Sequence, residues 1–326
     1  MATTKVSREL LHAALNHTLL GTDFDGLGKR YEGKVRDNYS VSGGRRLIVV
    51  TDRISAFDRV IGTLPFKGQV LNRVATWWFD RSRHVAANHM IRQVDPCVIE
   101  VVECEPLPVE MVVRAYLTGV TSTSNWTHYQ RGEREFCGHA LPDGLRENQA
   151  LPRPILTPST KADRGGHDIS ASREQILQMG KIREQDFDAA ADMAMALFAF
   201  GQRVCKERGL ILVDTKYEFG RTPDGRIVVI DEIHTPDSSR FWFEGTYGER
   251  FSGGQRPDSF DKEYVRRWLS GQGFTGEGPV PAIPDDVRVE AASRYIETYE
   301  TIVGEPFVPD TAPPLPRIRR NLGLAG

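Results

Sequence analysis

The fold is decided by residues 210 to 242, which read LILVDTKYEFGRTPDGRIVVIDEIHTPDSSRFW. Two apolar runs, at residues 210–214 and 226–231, are separated by a short segment that contains Pro-Asp-Gly. Proline presets φ for a turn and glycine accepts a positive φ, so this segment predicts a tight turn. The stretch therefore predicts two neighbouring strands that carry charged side chains near the ends of their apolar runs.

The charges of this predicted hairpin indicate a site. Side chains alternate along a strand, so Asp214, Lys216 and Glu218 share one face, and Asp231 ends the next strand. Glu218 and Asp231 can come close together, and two such carboxylates repel each other unless a cation or proton lies between them. Mg²⁺ takes hard oxygen ligands of this kind together with nucleotide phosphates. Taken alone, the pattern fits a magnesium site and a solvated, salt-bridged hairpin equally well.

A second informative segment is YEGKVRDNY at residues 31–39, which precedes a hairpin predicted from a Ser-Gly-Gly turn. Gly33 lets the backbone approach a phosphate, and Lys34 and Arg36 can neutralise the charge of that phosphate. The segment is neither a Walker A loop nor a GxGxxG motif. By itself it fits a solvated β-turn better than a phosphate loop.

Two more segments have the residue types of an anion site. Residues 157–161 end in Lys161 and are followed by two glycines, His167 and Asp168. Hydroxyls, a lysine and flexible glycines suit an anionic ligand, although a capped polar loop explains them too and a single histidine is more often structural. Residues 235–242 contain Arg240, which could clamp a phosphate or carboxylate with two hydrogen bonds or lie exposed in an ordinary loop.

The composition argues against several classes of protein. The 326 residues include 42 Lys and Arg against 44 Asp and Glu, and the formal net charge of −2 gives no reason to expect nucleic acid as a partner. The four cysteines form no CxxC pair, so a zinc finger is not predicted. Because we find no signal pattern and no apolar run near the ~18 residues that cross a bilayer, we expect no membrane and a cytoplasmic location.

The chain is predicted to have three parts, namely a β-rich domain over residues 1–112, a second domain over 113–254 and a helical extension with an arm over 255–326. Pro106 and Pro108 predict an irregular connector rather than a central strand. The polar segment 141–172 predicts a long functional loop, and four prolines from Pro309 to Pro316 predict a surface arm. Helices are predicted over residues 5–20, 173–208, 264–269 and 286–303.

Taken in order along the chain, six segments resemble the SAICAR synthetase family. They lie at residues 33–37, 51–58, 113–119, 157–161 with 167–168, 214–220 and 231–242. A single match of this kind is weak, but six in the family's order are hard to explain by coincidence. The resemblance implies an α+β fold, similar to kinase and ATP-grasp architecture, in which an antiparallel N-terminal sheet domain and a second α+β domain enclose an ATP cleft.

The resemblance also implies a reaction in purine biosynthesis. CAIR, the 5-aminoimidazole-4-carboxylate ribonucleotide, would be joined to L-aspartate while ATP becomes ADP and phosphate. A carboxylate is a poor acyl donor, so an acyl phosphate intermediate is our hypothesis. Two alternatives stay open, a small-molecule kinase with a related ATP site and an inactive nucleotide-binding module. Homo-oligomer formation is also left open.

The family's site residues carry over position by position. The implied cofactors are ATP and Mg²⁺, with Glu218 and Asp231 as metal ligands and with Lys216 and Asp214 as catalytic residues. ATP contacts are implied for Gly33, Lys34, Val35, Arg36, Asp37, Glu103, Leu107, Glu110 and Lys216. Substrate contacts are implied for Arg114, Ser124, Lys161, Asp168, Asp237, Ser238 and Arg240. Ser124 competes with Ser122 for its role, because four residues after Gly119 read as an insertion relative to the family pattern.

Overall fold

The computed structural model describes residues 6–57, 59–161, 168–260 and 263–324. Its α-helices are α1 (Arg8–Ala14), α2 (Lys67–Ser82), α3 (Asn125–Gln130), α4 (Arg173–Gln178), α5 (Glu184–Glu207), α6 (Glu244–Ser252), α7 (Glu263–Gly271), α8 (Asp285–Val303) and α9 (Pro314–Asn321). Its strands are β1 (Lys29–Glu32), β2 (Arg36–Val41), β3 (Arg45–Val50), β4 (Arg53–Ala56), β5 (Arg59–Thr63), β6 (Met90–Asp95), β7 (Val98–Val102), β8 (Glu105–Leu117), β9 (Glu135–Phe136), β10 (His139–Ala140), β11 (Gln149–Leu156), β12 (Ser159–Thr160), β13 (Leu210–Arg221), β14 (Ile227–Ile230), β15 (Ser239–Phe243) and β16 (Ser259–Phe260). None of the helices in these ranges is long and apolar enough to span a membrane.

The N-terminal sheet is antiparallel, with its strands in the order β1-β2-β3-β7-β6. The predicted hairpin of β2 and β3 is confirmed, and the two glycines of its turn have φ of +76° and +67°, a region that favours glycine. Both faces of β3 are buried, because Ile48 and Val50 pack with α2 while Leu47 and Val49 belong to a separate apolar cluster. The sheet is therefore a rigid support for the segment that leads into β2.

The second sheet has the order β11-β8-β13-β15-β16, with β12 paired to β8 and β14 paired to β13. The hairpin predicted from residues 210–231 is confirmed as β13 and β14, and Glu218 lies opposite Ile230. Tyr217 and Phe219 are fully buried in the core. Because side chains alternate along β13, Lys216 and Glu218 point to the opposite face, toward the first sheet.

The prediction of an irregular connector at Pro106 and Pro108 is wrong. Both prolines lie within β8, which runs unbroken between β13 and the β11–β12 edge. On the side of β8 that faces away from β13, pairing with β12 begins at Val109 and pairing with β11 begins at Val113. The two prolines precede these positions, so they have a paired strand, β13, on one side. Proline is tolerated in such a position because no ladder hydrogen bond is lost there. The division at residue 112 stays a prediction, and it falls inside β8.

Three other predictions of secondary structure are corrected by the structure. The helix expected over residues 5–20 is shorter, because α1 ends at Ala14 and a single 3₁₀ turn follows. The helical region 173–208 is divided into α4 and α5, although its expected cap is confirmed by a capping box at Ser172 and its expected stop by Gly209 at φ +69°. The expected loop 141–172 contains β11 and β12 in its described part, because both pair with β8.

The C-terminal arm is not a loose surface segment. The helices predicted there are confirmed as α7 and α8, and the proline-rich stretch leads into α9. Arg317 of α9 is 1% exposed and donates to both carboxylate oxygens of Asp95, each at 3.0 Å, while Asn321 donates to Asp95 at 2.7 Å. Ile318 completes the apolar cluster on the outer face of the first sheet. The arm therefore anchors the N-terminal sheet.

We expect Arg317→Met to lower the free energy of unfolding by about 3 kcal/mol, because it leaves the buried carboxylate of Asp95 without its cation. Urea denaturation followed by circular dichroism measures this loss. Arg320→Met, on the exposed side of the same helix, is the matched control and should change stability little. Equal stability of the two variants would contradict the anchoring role of α9.

Candidate active site

A cavity of about 770 Å³ lies between the two sheets. Gly33, Lys34, Val35 and Arg36 line it from the first sheet, and the end of the β13–β14 hairpin lines it from the second. The two sequence motifs that were predicted to bind a nucleotide and a metal therefore face each other across one cleft.

Hydrogen bonds from a buried arginine and from the backbone hold the glycine segment in place. The guanidinium of Arg53 donates to the carbonyl oxygens of Gly33 at 3.0 Å and Lys34 at 2.9 Å. The Thr51 N–H donates to the carbonyl of Val35 at 3.0 Å. A Cβ on Gly33 would lie 3.1 Å from the carbonyl oxygen of Arg36, a distance shorter than nine in ten Cβ contacts. The segment is thus a preformed loop whose free face is turned to the cleft.

Asp37 does not line the cleft, contrary to its predicted role as an ATP contact. Its fully buried carboxylate accepts hydrogen bonds from the Thr22 backbone at 2.6 Å, the Thr22 hydroxyl at 2.9 Å and Arg53 at 2.9 Å. It follows Arg36 on β2, so its side chain points to the opposite face of that strand. Asp37 supports the loop from behind by holding Arg53.

The predicted adenine-binding segment needs a similar correction. The carboxylate of Glu103 is engaged by Ser40 at 2.6 Å and Arg46 at 2.8 Å, and Leu107 is buried in the core. Neither lines the cavity, whose wall in this segment consists of Val102, Cys104 and Pro106. Alternation along the strand explains why the neighbours of the predicted residues face the cleft. Contacts from the backbone of this segment stay a prediction.

Two lysines and two glutamates form a half-buried network at the floor of the cleft. The Lys216 ammonium donates to Glu110 at 2.7 Å and to Glu218 at 2.9 Å, and Lys161 donates to the other oxygen of Glu218. Burial by itself would raise the pKa of Glu218, but Lys216 and Lys161 outweigh it and lower that pKa to about 2. Burial opposes the charge of Lys216, yet Glu218 and Glu110 raise its pKa. Glu218 and Lys216 therefore carry their charges at neutral pH.

Asp231 directly follows β14 and lies in the left-handed region of the backbone. Its φ is +69°, which is uncommon for any residue other than glycine, asparagine or aspartate. Arg36 contacts Asp231 at 2.9 Å and Glu232 at 2.7 Å. Burial raises the pKa of Asp231 to about 6, Arg36 opposes that rise, and Glu218 adds to it. Both carboxylates line the same cavity, as the predicted pairing of Glu218 with Asp231 requires.

The carboxylates of Glu218 and Asp231 fit a magnesium site whose other oxygen ligands come from a bound phosphate and from water. Within the described ranges, no cluster of three or more His, Cys, Asp or Glu side chains could hold a metal. Glu218 and Asp231 supply hard oxygens, and neighbouring lysine and arginine side chains balance their charge. Mg²⁺ is commonly bound by one or two carboxylates together with phosphate oxygens and water, so this donor set matches its needs.

A second cavity of about 310 Å³ adjoins the first. Six of the predicted substrate contacts line it, namely Arg114, Ser124, Asp168, Asp237, Ser238 and Arg240, while Lys161 lines the first cavity instead. Glu110, predicted as an ATP contact, also belongs to this second cavity. Lys216 and Asp237 line both cavities, so the two meet at these side chains. His167 and Asp58, which belong to the quoted motifs, lie outside the described residues.

Asp214 lies between two arginines in the second cavity. Its Oδ2 atom is 3.6 Å from both Arg114 and Arg240, too far for a hydrogen bond. This atom is buried and has no hydrogen-bond partner in the part of the chain that is described. A buried acceptor without a partner is costly, so Asp214 is suited to accept a hydrogen bond from a bound molecule.

Ser124 and Ser122, the two candidates for one substrate contact, differ in burial. Ser124 is 4% exposed, lines the second cavity and accepts a hydrogen bond from the Thr121 N–H at 3.1 Å. Ser122 is exposed and does not line that cavity. The geometry favours Ser124 for the role that the resemblance implies.

Arg266 of α7 is a candidate site residue that sequence reasoning missed. It lines both cavities, and its guanidinium lies 5.6 Å from the centre of the Phe57 ring. Together with Arg240, Arg256 and Arg267 it also surrounds a smaller cavity of about 90 Å³. Such a basic corner suits a phosphate group. Nothing in the sequence marks this arginine, because the residues after 255 match none of the quoted motifs.

Comparison with known proteins gives a consistent result. A family model described as SAICAR synthetase matches residues 29–280. The putative phosphoribosylaminoimidazole-succinocarboxamide synthase 2 of Mesorhizobium japonicum is 48% identical over 294 residues, which cover 90% of this chain and 94% of that protein. The chloroplastic phosphoribosylaminoimidazole-succinocarboxamide synthase of Arabidopsis thaliana is 46% identical over 321 residues, which cover 98% of this chain and 77% of that protein.

Solved structures show the same relationship. The SAICAR synthase from Saccharomyces cerevisiae, in complex with SAICAR, has a TM-score of 0.76 and 31% identity, and the match covers 89% of this chain and all (100%) of that chain. A SAICAR synthetase in complex with ADP has a TM-score of 0.65 at 23% identity, over 86% of this chain and 100% of that chain, and supports the fold alone. The α+β fold predicted from the sequence is thereby confirmed.

Proposed function

The chain belongs to the SAICAR synthetase family, and from this premise we propose that it joins CAIR to L-aspartate with ATP, giving SAICAR, ADP and phosphate in purine biosynthesis. The observation that carries the proposal is the meeting of two cavities at Lys216 and Asp237. One cavity has a glycine loop and paired carboxylates, which suit a nucleotide with its metal. The other has arginines and serines, which suit a phosphorylated small molecule.

The proposed chemistry has two steps. A CAIR carboxylate oxygen attacks the γ-phosphorus of ATP, so that an acyl phosphate forms and ADP leaves. The aspartate amine then attacks the acyl carbon, the C–O bond to phosphate breaks, and the amine loses a proton as the amide forms. Trapping by rapid quench, or positional isotope exchange, tests this route. Absence of oxygen transfer from the carboxylate to phosphate would exclude the acyl phosphate.

In this proposal ATP lies against the loop of Gly33 to Arg36, with Lys34 and Arg36 near its phosphates. Glu218 and Asp231 would hold Mg²⁺, which supplies charge screening for the phosphoryl group when it is bound. The Lys216 ammonium, at the junction of the cavities, stabilises negative charge on the transferred group. Its hydrogen bonds to Glu110 and Glu218 fix its direction before any substrate arrives.

CAIR is proposed to bind in the second cavity. Its phosphate would lie among arginines and hydroxyls, for which Arg240, Arg266, Ser124 and Ser238 are the candidates. Asp214 would accept a hydrogen bond from a donor on CAIR, such as a ribose hydroxyl or the ring amino group. This arrangement leaves the carboxylate of CAIR near Lys216.

The proposal also includes a cytoplasmic location. It is supported by four cysteines that are all free thiols, three of them buried. Free thiols are typical of proteins in reducing compartments.

An ADP-release assay tests the function and distinguishes it from a small-molecule kinase. We expect ADP release to require both CAIR and L-aspartate, with SAICAR detected as the product. Release with an alcohol acceptor, and none with CAIR and aspartate, would favour the kinase. ATP binding with no amide product would indicate an inactive nucleotide-binding module.

Arg240→Lys is expected to raise KM for CAIR by about 10- to 100-fold with a smaller effect on kcat, because lysine keeps the charge but loses the planar fork. Initial rates at saturating ATP and aspartate measure this effect. Arg226→Lys, in the exposed turn between β13 and β14, is the matched control. An unchanged KM for CAIR in Arg240→Lys would remove Arg240 from the substrate site.

A further inference from the structure

Asp237 is held by two residues that lie outside the motifs recognised in the sequence. Lys67 of α2 donates to one oxygen of its carboxylate at 2.7 Å, and Tyr295 of α8 donates to the other at 2.6 Å. The Lys67 ammonium also lies 5.3 Å from the centre of the Tyr295 ring. Lys67 is fully buried and Tyr295 is 3% exposed. Two distant parts of the chain therefore fix one carboxylate at the junction of the two cavities.

The position of Lys67 is determined by close packing at the start of α2. A Cβ on Gly68 would lie 2.4 Å from the carbonyl oxygen of Val50, so only glycine allows the helix to come this near to β3. The Gly68 N–H donates to the buried carboxylate of Asp52 at 2.8 Å. Phe66, which precedes the helix, has a φ of +62°. Because the backbone at the start of α2 is constrained in this way, the position of the Lys67 side chain is fixed, unlike that of a flexible lysine on the surface.

The chemistry at this junction limits what Asp237 can recognise. In the proposed function the anionic groups of the substrates are the phosphates, the carboxylate of CAIR and the carboxylates of aspartate, all of which a carboxylate repels. The aspartate amine is the reacting group that donates hydrogen bonds. A carboxylate has about four lone-pair sites, and Lys67 and Tyr295 occupy two of them. The charge of Lys67 also offsets the charge of Asp237, so nearby anions are repelled less.

We propose that Asp237 accepts a hydrogen bond from the amine of L-aspartate, and that Lys67 and Tyr295 are positioning residues that direct it toward the acyl carbon. This inference rests on the proposed function and deepens it. It gives α8, and with it the C-terminal extension, a part in the reaction site. The extension otherwise reaches the cavities through Arg266 and its basic neighbours.

Tyr295→Phe tests the inference, because it removes one hydroxyl and keeps the ring. We expect KM for L-aspartate to rise by about tenfold, the effect of losing one hydrogen bond to a charged group. KM for ATP and KM for CAIR should stay unchanged, since neither substrate contacts the hydroxyl. Tyr299→Phe, one helical turn further along α8 and outside both cavities, is the matched control.

Lys67→Met is a second variant, and it should lower kcat/KM for aspartate more than Tyr295→Phe does, because it removes a charge. Melting curves establish that each variant is folded. Equal increases in KM for all three substrates in Tyr295→Phe, or an unchanged KM for aspartate, would overturn the inference while leaving the proposed function intact. Failure of the unmodified protein to make SAICAR would overturn the proposed function and this inference together.

Discussion

Asp231→Asn and Glu218→Gln are each expected to lower kcat by about a thousandfold or more while the protein stays folded. Each change removes one of two carboxylates that line the same cavity and keeps the size of the side chain. The metal would lose a charged ligand, and the phosphates of ATP would lose their screening. Turnover at saturating ATP, CAIR and aspartate, measured over a range of magnesium concentrations, gives the effect.

The amide substitutions distinguish the loss of a charged metal ligand from the cost of a strained backbone. Asp231 has a φ of +69°, and asparagine tolerates this region of the backbone while alanine does not. Alanine variants at both positions are expected to be as inactive, but Asp231→Ala would also carry a backbone cost. Asp224→Asn, in the exposed turn of the same hairpin, is the matched control. Near-normal turnover at ordinary magnesium in either Asp231→Asn or Glu218→Gln would remove the metal assignment.

Lys216→Met is expected to lower kcat by roughly three to four orders of magnitude, because the transferred phosphoryl group would lose a cation that is already in place. Lys216 is the ammonium that lines both cavities and contacts Glu110 and Glu218 at 2.7 Å and 2.9 Å. Single-turnover measurement of ADP formation reports on this step. Lys206→Met, at the exposed end of α5, controls for the loss of a lysine.

A double variant distinguishes catalysis from stability at this position. Lys216→Met leaves two neighbouring carboxylates without their shared cation, which destabilises the fold. Adding Glu110→Gln removes one of those charges, so it should recover part of the melting temperature. We expect no recovery of turnover in the double variant. If turnover returned together with stability, Lys216 would have a structural role only.

Much of the site could be predicted from short stretches of the sequence. The order of residues 210–231 predicted a hairpin because Pro-Asp-Gly favours a turn whatever surrounds it. Alternation along β13 then placed Lys216 and Glu218 on one face, and the structure bears this out. The glycine segment was likewise recognisable from Gly33 and its basic neighbours. These features depend on local backbone geometry, which a short stretch of sequence determines.

Predictions from residue type were wrong where pairing with a neighbouring strand, or packing against it, determined the position of a side chain. Pro106 and Pro108 predicted a connector, but both belong to β8 because the strand pairs with β13 on one side there. Asp37 looked like part of a phosphate loop, yet it is buried behind that loop with Arg53. In both cases the sequence contained the residue, but the face it occupies was set by pairing and packing.

The sequence by itself therefore determined the family, the hairpin with its carboxylates and the loop that faces it. Only the tertiary structure decided how distant residues complete the site. Lys67 and Asp237 are 170 positions apart, and Arg317 and Asp95 are 222 positions apart. Such pairs form because the packing of α2, α8 and α9 buries the groups together, and a buried charge must find a partner. No local pattern reports that requirement, since it arises only when the chain is folded.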